Sequence, residues 1–122
     1  MSASSILLVG CDDHLSRIYA RRLERDGWTV DVSPNLHSGE QKASRMRPNV
    51  LFLDDSCAVD ILEEIKRLRR LPTLLKTKIV LLSRHGDFAH IQEALLVGVD
   101  MYLVEKHFSP SELVNKMKTL ID

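Results

Sequence analysis

Apolar positions along this chain fall into short solid runs, separated by stretches in which they recur every third or fourth residue. The runs are "SILLVG" (Ser5–Gly10), "WTVDV" (Trp28–Val32), "VLFL" (Val50–Leu53), "KIVLLS" (Lys78–Ser83) and the weaker "MYLV" (Met101–Val104). All but the second are continuously apolar, as strands covered on both faces of a parallel sheet must be. The second alternates, which predicts an edge strand. Between the runs, Leu15, Ile18, Tyr19 and Leu23 form a helical stripe before Gly27, and Ile61, Leu62, Ile65 and Leu68 form another before Pro72. Ile91, Leu95 and Leu96, with Ala94, form a third stripe closed by Gly98. "SPSE" (Ser109–Glu112) is a capping box with proline at the first helical position, followed by Leu113, Met117, Leu120 and Ile121. "LHSGEQKASRM" is a poorer helix anchored only by Leu36, Ala43 and Met46, and is read as short or mobile.

Five alternations of strand and helix predict right-handed crossovers and an α/β fold, a parallel sheet with helices on both faces. At 122 residues the chain has the size of a single domain spanning 1–122. In such folds ligand chemistry gathers at the carboxyl ends of the strands. Asp12, Asp13, Asp54, Asp55, Ser83, Glu105 and Lys106 each follow a strand and so share one rim.

Charge narrows the partners. Lys plus Arg and Asp plus Glu are 17 each, so no global field draws the chain to nucleic acid or an anionic membrane. The basic run "KRLRRL" (Lys66–Leu71) reads most simply as a solvated helix face. Cys11 and Cys57 have neither metal-ligand spacing nor the density of a disulfide scaffold, which suits a reducing cytoplasm. No apolar stretch approaches a membrane-spanning length, and "MSASS" lacks the features of a secretory leader. The five histidines show no metal-like pairing.

Carboxylates, a hydroxyl and an ammonium at strand ends suit a divalent cation and a phosphoryl group. Magnesium takes one or two carboxylates and fills its shell with water and phosphate oxygens. A carboxylate can itself attack phosphorus to give an acyl phosphate, with a lysine and a hydroxyl stabilising the transferred charge.

The segments "RPNVLFLD" (Arg47–Asp54), "KIVLLS", "ALLVGVDMYLV" (Ala94–Val104) and "FSPSEL" (Phe108–Leu113) together resemble the receiver domain of two-component response regulators. The resemblance covers nearly the whole chain. It implies a flavodoxin-like (βα)5 three-layer sandwich around a five-stranded parallel sheet, phosphorylation by a histidine kinase or phosphotransfer protein, and a switch read by a downstream effector protein. It further implies Asp54 as phosphoacceptor, Ser83 and Lys106 as contacts to the phosphoryl group, and Tyr102 as the aromatic that rotates inward behind Ser83. Mg2+ would be held by Asp54, by Asp12 or Asp13, and by Ser56 through its backbone carbonyl. A homodimer through the fourth helix, fifth strand and fifth helix belongs to the same pattern.

Three departures stand against this. Counting back from Gly27, the family's acidic pair falls on Gly10 and Cys11, with Asp12 and Asp13 just beyond. Either the first helix is one residue shorter and the pair has slipped outward, or the magnesium site is degraded and Asp12 and Asp13 are caps. After Asp54, "DDSCAVDI" lacks the usual proline and glycine and is one residue shorter, which puts the Ser56 carbonyl in doubt. The family's Lys-Pro pair appears as "EKHF": Glu105 takes the lysine position unless a one-residue insertion restores Lys106, and a cis bond before His107 is not expected. Cys11 reads as a small buried filler, since thiolates do not suit a hard cation. Asp55 is either solvated or a second metal carboxylate. Two functions follow: a phosphoacceptor switch, or a pseudo-receiver that docks proteins without phosphorylation. A flavodoxin-like enzyme or cofactor binder is disfavoured by the lack of a GxGxxG loop.

Overall fold

The computed structural model describes residues 4–121. Five strands, β1 (Ser5–Val9), β2 (Thr29–Ser33), β3 (Val50–Asp54), β4 (Lys78–Ser83) and β5 (Met101–Val104), alternate with five helices. These are α1 (Asp13–Arg25), α2 (Leu36–Met46), α3 (Ile61–Leu68), α4 (Phe88–Val97) and α5 (Pro110–Ile121). The strands pair in parallel in the order β2-β1-β3-β4-β5, with Leu8 opposite Phe52 and Phe52 opposite Val80. This is the flavodoxin-like order, whose switch point lies between β1 and β3.

Because successive strand side chains point to opposite faces, a solid apolar run fills two cores at once. Ile6, Leu8, Phe52, Val80 and Leu82 face one way, against Tyr19, Leu23, Leu113 and Met117 of α1 and α5. Leu7, Val9, Leu51, Leu53, Ile79 and Leu81 face the other, against Ala43, Ile61, Ile65, Leu68 and Ala94. The alternating run lies at an edge as β2. The other edge is β5, which is only partly covered despite its continuous apolar sequence.

Two expectations change. The stretch read as short or mobile is an eleven-residue helix, capped by Asn35 accepting from the Ser38 N–H at 2.9 Å. Its buried face is made of Gly39 and Ala43, residues too small to register as a hydrophobic stripe. A Cβ on Gly39 would lie 2.8 Å from Val9 Cγ1, so the missing side chain lets the helix approach β1 closely. In α4, Ala94 is buried whereas Leu95 is 49% and Leu96 is 86% exposed. Three consecutive residues are spread over about 200° of a helix, so only one can face the sheet.

The basic run is largely committed within the fold. Arg67 of α3 forks onto both oxygens of Glu40 in α2 at 2.7 and 2.8 Å and also reaches Glu64. Arg69 binds Asp100 and the carbonyls of Gly98, Leu74 and Thr77. The Arg67 hydrogen bonds hold the Glu40 carboxyl below its ordinary value of 4.5. The Glu40 contribution to stability is therefore present above that pH and lost as pH falls through the folded value. Both side chains are partly exposed, so the expected size is only about 0.5 kcal/mol. Urea melts between pH 7 and pH 3 check this: Glu40→Gln should be less stable than the parent at pH 7, and the difference should shrink as pH falls.

Candidate functional site

β1 stops at Val9, and the chain leaves the sheet through Gly10, whose φ of +82° disfavours any residue with a side chain. A Cβ there would also sit 2.4 Å from Cys57 Cβ, because the loop after β3 folds over this glycine. Cys11 follows and is buried. Asp12 is the N-cap of α1, its Oδ1 accepting the Leu15 N–H at 2.8 Å. Asp13 is the first residue of the helix and is exposed.

Asp54 ends β3, half-buried, and its Oδ1 accepts from both the Ser56 N–H at 2.9 Å and the Ser56 hydroxyl at 2.6 Å. A single turn of 3-10 helix, Asp55–Cys57, follows. It carries the Asp55 carboxylate across to β4, where Oδ2 accepts the Ser83 hydroxyl at 2.6 Å. Ser83 is itself buried and accepts the His85 N–H at 3.0 Å. On β5, the Tyr102 hydroxyl donates to the His85 carbonyl oxygen, and its own oxygen lies 2.6 Å from His90 Nδ1. Since tyrosine has one proton to give, the Nδ1–H of His90 is the donor in that second contact. Burial pushes the Tyr102 hydroxyl up, with Ser83 pulling it partly back.

Beyond β5, the Glu105 N–H donates to the Ser83 carbonyl at 2.8 Å, and the Glu105 carboxylate accepts from Arg84 Nε at 3.2 Å. Lys106 sits on the surface at a φ of +71° in a turn closed by His107 N–H to Val104 O. Among the described residues it makes no ion pair, with Asp54 or with any other carboxylate. The peptide before His107 is trans.

The two thiols border Asp54 electrically. Burial, and then the charges of Asp54 and Asp12, push the Cys11 thiol up to about 12. Burial and Asp54 do the same to Cys57, also to about 12. Both stay protonated at neutral pH and act as packing groups rather than thiolates.

The family model described as "Response regulator receiver domain" matches residues 6–118. The chain belongs to the response regulator receiver domain family. The receiver domain is 29% identical over 117 residues to the phosphate regulon transcriptional regulatory protein PhoB of Rhizobium meliloti, covering 95% of this chain and 51% of that one. It is 25% identical over 122 residues to the transcriptional regulatory protein ResD of Bacillus subtilis, covering 97% and 48%. The chain thus spans about half the length of the curated relatives it matches. Its fold is that of a response regulator from Thermotoga maritima, at a TM-score of 0.86 with 23% identity and 98% of both chains covered. It is equally similar to HP1043, an orphan response regulator of H. pylori, at a TM-score of 0.89 with 17% identity, covering 99% and 98%. Receiver domains are signalling domains rather than enzymes, working with histidine kinases and effector domains. Among the described residues no helix is long and apolar enough to cross a membrane.

Receiver domains typically bind Mg2+ at an acidic pocket, and the residues of this one do not fit that ion. Gly10 and Cys11 stand where counting back from Gly27 puts the family's paired carboxylates, and Cys11 is buried with its thiol pushed up to about 12. Of the carboxylates nominated for the cation, Asp12 is engaged through Oδ1 as a helix cap, Asp13 is exposed on α1, and Asp54 is bound through Oδ1 by Ser56, whose nominated group was its backbone carbonyl. Among the described residues no group of three or more His, Cys, Asp or Glu is arranged to hold a metal. Mg2+ needs near-octahedral hard oxygen donors, which a thiol and a glycine do not supply. The pairing of Asp55 with Ser83 had no counterpart in the sequence, where Asp55 reads as solvated or as a second metal carboxylate.

Proposed function

We propose that this receiver domain works without phosphorylation, as a protein-interaction module whose recognition face is set by its own hydrogen bonds. The observation that carries the reading is Cys11, a buried thiol near the charges of Asp54 and Asp12, at the place where the resemblance puts one of the paired carboxylates. Where no insertion restores Lys106, Glu105 takes the lysine position and adds negative charge where a transferred phosphoryl group would need a cation. The recognition face is α4, which leaves Phe88 at 72% and Leu96 at 86% exposure, with Leu95 beside them, next to the edge strand β5. Isolated exposed apolar residues are ordinary, whereas several on one helix face suit a partner. The partner is a cytoplasmic effector protein, or a second copy docking through α4, β5 and α5.

A second reading keeps Asp54 as phosphoacceptor. It is favoured by the placing of Asp54 at the open end of β3, with its Oδ2 in no hydrogen bond among the described residues. That oxygen would attack phosphorus as the P–N bond of a phosphohistidine donor breaks, with Ser83 and Lys106 stabilising the transferred group. Acetyl phosphate with millimolar Mg2+, followed by intact-mass measurement, separates the two. The expected result is no added phosphoryl group. A mass increase that disappears in Asp54→Asn would overturn the first reading and establish the second.

A further inference from the structure

The Ser83 hydroxyl is 1% exposed and both of its hydrogen-bonding roles are filled. It donates to Asp55 Oδ2 at 2.6 Å and accepts the His85 N–H at 3.0 Å. Those two bonds join the turn after β3, the end of β4 and the loop that leads into α4. His85 then offers its carbonyl to Tyr102, which also meets His90 in the first turn of α4. A continuous route of contacts therefore runs from Asp55 to the N-terminal turn of the helix that carries Phe88.

By its position Ser83 is the hydroxyl that would move to meet a phosphoryl group, yet here it already holds an anion that the chain itself supplies. We infer that Asp55 is the resident anion of this receiver domain: its carboxylate stands in for a phosphoryl group as the acceptor of Ser83 and keeps the 84–88 loop, Tyr102 and the start of α4 in one arrangement. The inference rests on the phosphorylation-independent reading and deepens it by naming what sets the α4 face. The physical basis is the charge on the acceptor. A hydroxyl bonded to a carboxylate makes a stronger bond than a neutral pair, roughly twice as strong. Among the described residues no cation pairs with Asp55, so the Ser83 hydroxyl is its one side-chain partner. Any phosphoryl group added to Asp54 would also face this neighbouring negative charge.

Amide hydrogen exchange followed by NMR tests the inference on the wild-type chain, Asp55→Ala, Ser83→Ala and their double variant, with Asp54→Asn as control. Asp55→Ala should raise the exchange rate of the His85 amide about tenfold, the scale of one lost charge-assisted bond opening a local segment, and should shift the Tyr102 ring resonances. Ser83→Ala should do the same, the double variant should add nothing further, and Asp54→Asn should leave both observables where they were. The isosteric Asp55→Asn keeps an acceptor without the charge; it should give a smaller change in the same direction and serves if the alanine variant fails to fold. Unchanged His85 exchange in the Asp55 variants, or additive effects in the double variant, would overturn the inference while leaving the interaction-module reading intact. That reading fails separately, on a phosphoryl group found at Asp54.

Discussion

Arg69→Ala should lower the free energy of unfolding by about 3 kcal/mol, the loss expected when a partly exposed ion pair and three charge-assisted hydrogen bonds to backbone carbonyls are cut on one side. Arg69 caps the end of α3 and is only 21% exposed through its side chain. Its Nε donates to Gly98 O at 3.0 Å, and one terminal nitrogen donates to Thr77 O at 2.8 Å and Leu74 O at 3.3 Å. The other terminal nitrogen pairs with the Asp100 carboxylate, whose Oδ2 also accepts the Ile79 N–H at 2.8 Å. One guanidinium thus joins the end of α3, the turn before β4, the C-cap of α4 and the approach to β5. Truncation strips a donor from three carbonyls and leaves Asp100 without its cation. In a chain of this length the loss corresponds to a fall in Tm of roughly 10 °C. Arg69→Lys should recover less than half of it, because a single ammonium cannot present a planar fork to acceptors on different sides. Urea unfolding with an unchanged m-value is the measurement, and a loss below about 1 kcal/mol would show that the fork does not brace these elements.

The second large effect is expected at Gly10. An alanine there meets two separable penalties. The left-handed backbone at φ +82° costs a residue with a Cβ about 1–2 kcal/mol. The new Cβ, 2.4 Å from Cys57 Cβ, adds an overpacking cost of about 1–3 kcal/mol. Gly10→Ala should therefore destabilise by about 3 kcal/mol, and the excess should divide cleanly in a double variant. Cys57→Gly removes the clashing atom, so Gly10→Ala in that background should cost only the backbone share. Cys57→Ser keeps the Cβ and should give no relief. Equal costs in all three backgrounds would mean that the loop after β3 moves away instead of packing on Gly10.

Some of this arrangement was legible residue by residue. The solid runs of β1, β3 and β4 need cover on two faces, and only a helix-flanked parallel sheet provides it, so strand placement and fold class follow from pattern. The Ser109–Glu112 capping box is local chemistry and appears as read, with Ser109 N–H to Glu112 Oε1 at 3.0 Å and Glu112 N–H to Ser109 Oγ at 3.2 Å. The gathering of Asp54, Asp55 and Ser83 at one rim follows from each ending or following a strand. Less visible were features carried by small residues or by side-chain direction. Helix α2 rests on Gly39 and Ala43, which carry little hydrophobic signal although their smallness makes the packing possible. Leu95 and Leu96 point outward because Ala94 takes the inward position.

The question raised by Gly10 to Asp13 divides along the same line. The amino-acid sequence by itself determined that, counted back from Gly27, the position of the paired carboxylates falls on Gly10 and Cys11, with Asp12 and Asp13 just beyond. It also determined that a thiol, a poor ligand for a hard cation, stands directly before those two carboxylates. Only the tertiary structure decided what the remaining carboxylates do: Asp12 caps α1, Asp54 bonds Ser56, and Asp55 reaches Ser83 across 28 residues of chain. The physical reason is that a strand end fixes where a backbone stops but not where a short polar side chain finds its partner. That partner is brought up by a neighbouring strand, and its identity depends on the sheet order, which no local window contains.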